Sequence, residues 1–167
     1  DVMKALLAMG VNANTGNSLH YAAFYGKTES IKLLLSHGVN PNKKDVNGFT
    51  PLMQTSFCSG DQDSLIINNH VESIRILVNA GADPNIKTED GTTALMIAAS
   101  QNNIDVVKEL LSLGSDKSII NKKGEDAFNI SNNKGYIEVA SLLNPSGTIN
   151  NHTRTNNSLF AHYIGMN

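Results

Sequence analysis

The 167-residue sequence predicts an all-α solenoid, a stack of helix–turn–helix units, on three observations. Apolar anchors Leu19, Leu52, Leu95 and Phe128 stand 33, 43 and 33 residues apart. Glycines Gly10, Gly38, Gly81, Gly114 and Gly147 follow one another at intervals of 28, 43, 33 and 33. Nine residues before each glycine sits an acidic side chain: Asp1, Glu29, Glu72, Asp105 and Glu138. Three sets of markers therefore keep one register of 33, with a ten-residue insertion and a five-residue deletion, and a fixed period of this length marks a repeat architecture.

Each unit opens on a cap. Asn17, Thr50, Thr93 and Asp126 stand two residues before the anchors, and their side-chain oxygens are suited to the free N–H groups of a helix start. Pro51 then takes the first helical position, where a missing N–H costs nothing. In the short first helix, the pairs Ala22/Ala23 and Ala98/Ala99 permit close helix approach. The second helix shows apolar residues at helical spacing: Ile31, Leu34, Leu35, then Ile74, Leu77, Val78, then Val107, Leu110, Leu111. It closes on the repeated glycine, which adopts the left-handed C-terminal conformation at least cost. Asn40-Pro41-Asn42 and Asp83-Pro84-Asn85 supply turn chemistry toward the next cap.

The phrases Leu-His-x-Ala-Ala, Leu-Leu-Leu-x-x-Gly-Val-Asn-Pro-Asn and Asn-Gly-x-Thr-Pro-Leu resemble the ankyrin repeat. The resemblance covers roughly 1–147 and implies an ankyrin-repeat α-solenoid of about four and a half units, with hairpin-like loops projecting between them. Its divisions are a partial repeat 1–14, then repeats at about 15–46, 47–89, 90–122 and 123–147, followed by a 148–167 tail, read as a linker or the start of another element. The insertion falls at 60–69 and reads as a solvated acidic loop, and the deletion stunts the first hairpin. Ser131-Asn132 replaces the alanine pair in the last repeat, which suits a capping unit with a polar outer face. The first repeat begins at its second helix, so the chain is expected to be a fragment of a longer protein.

Composition narrows function. A formal charge of −2 leaves no basic field for nucleic acid, and no apolar run approaches the ~20 residues of a bilayer span. The N-terminus lacks a signal-peptide profile, and Cys58 is the sole cysteine, so the expected setting is soluble and cytoplasmic. The 22 Asn, with 11 Lys against 2 Arg, fit an AT-rich genome. Cys58 lies at a variable position and reads as an inert thiol. Asp61, Asp63, Asn69 and Glu72 match some positions of a calcium loop, but Leu65 interrupts the ligand series and the required glycine is missing. His20, His37, His70, His152 and His162 have no metal-ligand spacing. No catalytic constellation, metal or cofactor is expected. By the resemblance, His20 and His70 hold structural places that hydrogen-bond turns.

The resemblance also places the partner-facing positions, at the hairpin tips and on the exposed side of the first helices. These are Asn17, Tyr21, Phe24 and Tyr25 in repeat 1, and Val46, Asn47, Phe49, Gln54, Phe57 and Cys58 in repeat 2. Repeat 3 supplies Glu89, Asp90, Thr92, Ile97, Ser100 and Gln101, and repeat 4 Lys122, Lys123, Glu125, Asn133 and Lys134. Five of the nine aromatics fall in this set, all in repeats 1 and 2, and aromatic side chains dominate binding hot spots. By the same resemblance, Asn14, Asn42 and Asn85 occupy a turn position that is expected to serve structure and in which ankyrin asparagines can be β-hydroxylated. The expected function is recognition of another protein by a monomer without catalysis. The alternative is a targeting or regulatory module of a larger enzyme or of a host-directed bacterial effector, acting in the host cytosol.

Overall fold

The computed structural model describes residues 9, 12–14 and 16–144. Most of the partial repeat 1–14, the closing Gly10 and Gly147, and the 148–167 tail lie outside the described residues. Within them the chain is all-helical, running α1 (Ser18–Phe24), α2 (Thr28–Ser36), α3 (Pro51–Thr55), α4 (Ser64–Asn79), α5 (Ala94–Ser100), α6 (Ile104–Ser112), α7 (Ala127–Asn133) and α8 (Ile137–Leu143). Successive pairs are the four repeats. The first helices α1, α3, α5 and α7 stack on one another, as do the second helices α2, α4, α6 and α8.

The anchors form the spine between these layers. Leu19, Leu52 and Leu95 are fully buried, Phe128 packs half-buried at the end of the row, and Ala23, Ala98 and Ala99 are sealed beside them. Ile31, Ile74, Val107 and Ala140 are buried at one register position of the second helices, and Leu34, Leu77, Leu110 and Leu143 at another. Full burial of one such aliphatic chain stabilises by roughly 1.5–3 kcal/mol, but each repeat has too few of them to fold without its neighbours.

Capping follows the sequence at three of four starts. Thr50 accepts from Met53 N, Thr93 from Met96 N and Asp126 from Asn129 N, each with an extended backbone at the cap. Asn17 makes no such bond. The shortened loop leaves it at φ −118°, ψ 32°, away from the extended conformation that aims a capping oxygen at the helix. At the other end, Val39 N bonds to Leu34 O, Ala82 N to Leu77 O and Ser115 N to Leu110 O, closing α2, α4 and α6 through a glycine of positive φ (75°, 93° and 91°).

A further left-handed position joins the two helices of a repeat. Gly26, Asn102 and Gly135 each stand seven residues after the anchor with φ of 59°, 56° and 75°. Ser59 holds this place in repeat 2, and there the insertion begins. The insertion is not the loop expected from its acidic composition. Residues from Ser64 onward extend α4 backward to give a 16-residue helix, with Asp63 capping Leu65 N. Ile67 and His70 continue inward the face that holds Ile74 and Leu77. The remaining short loop is docked on repeat 3, where Gly60 N donates to Gln101 O and Asn103 Nδ2 to Cys58 O. Ser131 also corrects the expected polar outer face. It is fully buried, and its hydroxyl donates back to the Ala127 and Phe128 carbonyls, so the helix itself satisfies it.

Candidate recognition surface

The hairpin-like loops project from the ends of the repeats and are rigid by local bonding. Asp45 N donates to Phe49 O, Thr88 N to Thr92 O and Asn121 N to Glu125 O. Asp45 Oδ1 accepts from Asn47 N and Phe49 N, and Asn121 Oδ1 from Lys123 N and Glu125 N, so side chains as well as backbone hold the tips. His20 ties the first helix to the next hairpin: its Nε2 lies 2.9 Å from Lys43 O and 3.1 Å from Phe49 O. Across neighbouring repeats, Asn42 donates Nδ2 to Gly81 O and accepts from Asp83 N, while Asn85 does the same with Gly114 O and Asp116 N. Asn14 makes the equivalent, longer pair with Gly38 O and Asn40 N. The three asparagines thus form a ladder of repeat-to-repeat rungs.

Between first helices and hairpins lie two adjoining grooves. One, of about 350 Å³, is lined by Tyr21, Phe24, Tyr25, Asn47 and Gln54, together with Asn17, His20, Asp45 and Val46. The other, of about 570 Å³, is lined by Asn47, Phe49, Phe57, Glu89 and Asp90, with Val46, Thr88, Thr92 and Ile97. Val46 and Asn47 form the ridge shared by both. Thirteen of the twenty-one residues nominated from the sequence line these grooves, whereas Cys58, Ser100, Gln101 and the five of repeat 4 (Lys122, Lys123, Glu125, Asn133 and Lys134) line neither. Gln101 uses its main-chain carbonyl on Gly60 instead.

The aromatics divide into two kinds. Tyr21 is 66% exposed, Tyr25 63% and Phe24 45%, and the Phe24 and Tyr25 rings meet edge to face at 5.1 Å. Phe49 and Phe57 are half-buried against the core and meet at 5.5 Å. Cys58, which the register also puts on the open face, is buried instead, because the insertion loop folds over it; burial raises its thiol pKa. Ile97 is likewise buried, a floor to its groove more than a contact. His20, Asp45 and Thr88 were absent from the sequence-nominated set. Asp45 and Thr88 had a legible signal, standing four residues before Phe49 and Thr92, where a polar side chain closes the hairpin.

This geometry coincides with a family assignment. The model described as ankyrin repeats (3 copies) matches residues 1–67 and again 62–155. The chain belongs to the ankyrin repeat family. It is similar to the E3 ubiquitin-protein ligase hecd-1 of Caenorhabditis elegans, with 35% identity over 71 residues, 41% of this chain and 3% of that protein. It is also similar to the transient receptor potential cation channel subfamily A member 1 homolog of Caenorhabditis elegans, 50% identical over 54 residues, 30% of this chain and 4% of that protein. The ankyrin chain thus spans a few per cent of the length of these relatives. Ankyrin repeats are protein-interaction modules. Among the described residues no helix is long and apolar enough to cross a membrane, and no cluster of histidine, cysteine and carboxylate side chains could hold a metal ion.

Two buried histidines give this ankyrin fold a pH dependence. Burial holds the pKa of both His20 and His70 below the ordinary imidazole value, outweighing their backbone hydrogen bonds, and His70 Nδ1 has no partner in the interior. The fold therefore favours the neutral form of both rings, whereas the unfolded chain takes up their protons at its higher pKa. Stability is complete above about pH 6.5 and declines as pH falls from there toward the folded values. The midpoint of thermal unfolding, followed by circular dichroism, is expected to be lower at about pH 5.5 than at about pH 7.5. His70→Gln should flatten that difference. Equal pH dependence in the variant would remove His70 from the account.

Proposed function

We propose that the chain recognises a partner protein along the concave face built by its hairpins and first helices, and performs no chemistry itself. One observation carries the reading: Tyr21, Phe24 and Tyr25 stand exposed on a groove that runs on into a second groove floored by Phe49 and Phe57. Exposed aromatics gathered on a backbone fixed by its own hydrogen bonds offer contact area with little left to order on binding. The small share of each relative that the chain matches supports a second statement, that this is the recognition part of a larger protein whose activity resides elsewhere.

Affinity capture from a cell lysate tests the reading, using the 167-residue chain beside a Tyr21→Ala/Phe24→Ala/Tyr25→Ala variant. The variant is expected to retain its helical circular dichroism, since all three rings are exposed, and to lose the proteins captured by the parent. Capture of the same proteins in equal amounts by both would place recognition on another surface.

A further inference from the structure

The acidic residues bordering the two grooves are not equivalent. Asp45 is fully occupied: Oδ1 accepts from Asn47 N at 2.9 Å and Phe49 N at 3.0 Å, and Oδ2 accepts from Gln54 Nε2 at 3.2 Å. Its charge is spent on the hairpin. Glu89 and Asp90 are exposed on the next hairpin tip, and among the described residues neither carboxylate has a hydrogen bond or an ion pair. Asp90 uses only its main-chain carbonyl, which accepts from Lys122 N at 2.8 Å. Consequently the first groove has an aromatic wall with its one carboxylate satisfied, while the second has two uncommitted negative charges on the lining they share with the Phe49–Phe57 pair.

Those surroundings ask for different side chains. An aliphatic or aromatic group suits Tyr21 and Phe24. An arginine suits the second groove, since its stem and planar guanidinium lie against aromatic rings while its N–H groups reach carboxylates; lysine fits less completely. An anionic side chain would be repelled there. Spacing follows from the stack. Adjacent helices pack roughly 8–10 Å apart, and an extended chain advances about 3.3 Å per residue with alternate side chains on the same side. We propose that the partner segment is a basic extended peptide, with an apolar anchor on Tyr21 and Phe24 and an arginine or lysine two to four residues away, held between Glu89, Asp90 and the Phe49–Phe57 pair. This rests on the concave face being the recognition surface.

Selection of a random-peptide display library on the full chain tests it. The selected peptides are expected to pair an apolar residue with arginine or lysine at that spacing. A selected peptide, made synthetically with a fluorescent label, should bind roughly tenfold more weakly to a Glu89→Gln/Asp90→Asn variant, and more weakly as salt rises from about 50 to about 300 mM. Both substitutions lie on an exposed tip, and circular dichroism verifies that the variant is folded. Peptides without a basic preference that still lose binding in Tyr21→Ala/Phe24→Ala overturn the basic-peptide proposal and leave concave recognition standing. Peptides indifferent to both variants overturn both. Failure to select any peptide overturns the linear-segment proposal, and the lysate capture then judges the recognition reading on its own.

Discussion

Leu95→Ala is expected to destabilise the chain by about 3 kcal/mol, within the range for emptying a fully buried leucine site. Leu95 is 1% exposed in α5, the helix that packs on first helices on both sides and on α6. The truncation removes three buried carbons and leaves a cavity whose walls are fixed by two stacked neighbours, so relaxation recovers little of the loss. In a stack where each repeat is stabilised by adjoining faces, damage to an inner unit also weakens its neighbours' interfaces. Urea unfolding followed by helical circular dichroism, the practical signal in a chain with no tryptophan, should show the midpoint falling by about 1–2 M. Leu65→Ala is the matched control. That leucine is 68% exposed on the inserted helical turns, and its removal should change stability by less than about 0.5 kcal/mol. Similar losses at the two positions would contradict the spine as drawn.

The contrast between Leu95 and Leu65 shows what the sequence carried. Register placed the buried anchors, because a residue 33 positions from a buried leucine inherits its environment; Ser131 follows the same rule, and its burial could have been read from register rather than polarity. The insertion was harder. Asp63 is a cap, and Ile67, His70 and Ile74 keep helical spacing, yet the acidic residues and the shorter second helices of the other repeats argue for a loop. Tertiary support from repeat 3 decides the matter, and nothing local encodes Gly60 meeting Gln101. The same limit applies to the grooves. The closing role of Asp45 is marked by its place four residues before Phe49, but that the Glu89 and Asp90 carboxylates are left unbonded emerges only from the hairpin geometry.

Asn103→Ala is expected to cost about 2–4 kcal/mol, more than its single polar side chain would indicate, because one amide performs two tasks. Asn103 is 1% exposed; its Oδ1 accepts from Val106 N at 3.0 Å to cap α6, and its Nδ2 donates to Cys58 O at 3.1 Å. Loss of the cap alone costs about 1 kcal/mol. Loss of the second bond removes a buried donor from the Cys58 carbonyl, where an unsatisfied group costs about 1–3 kcal/mol. Asn103→Ser separates the terms, since a hydroxyl oxygen can still cap α6 but is too short to bridge to repeat 2. The serine variant should therefore recover only the capping share. Hydrogen exchange supplies an independent reading: the Gly60 amide, bonded to Gln101 O in the docked loop, should exchange faster in both variants than in the parent. Docking leaves little room for adjustment, as a Cβ at Gly60 would collide with the Asn102 carbonyl. If serine restores full stability and Gly60 exchange is unchanged, the tie to Cys58 contributes nothing and the insertion is held by the buried face of α4 alone. If exchange quickens while α6 stays capped, a single amide is what fastens the inserted segment of one repeat to the turn of the next.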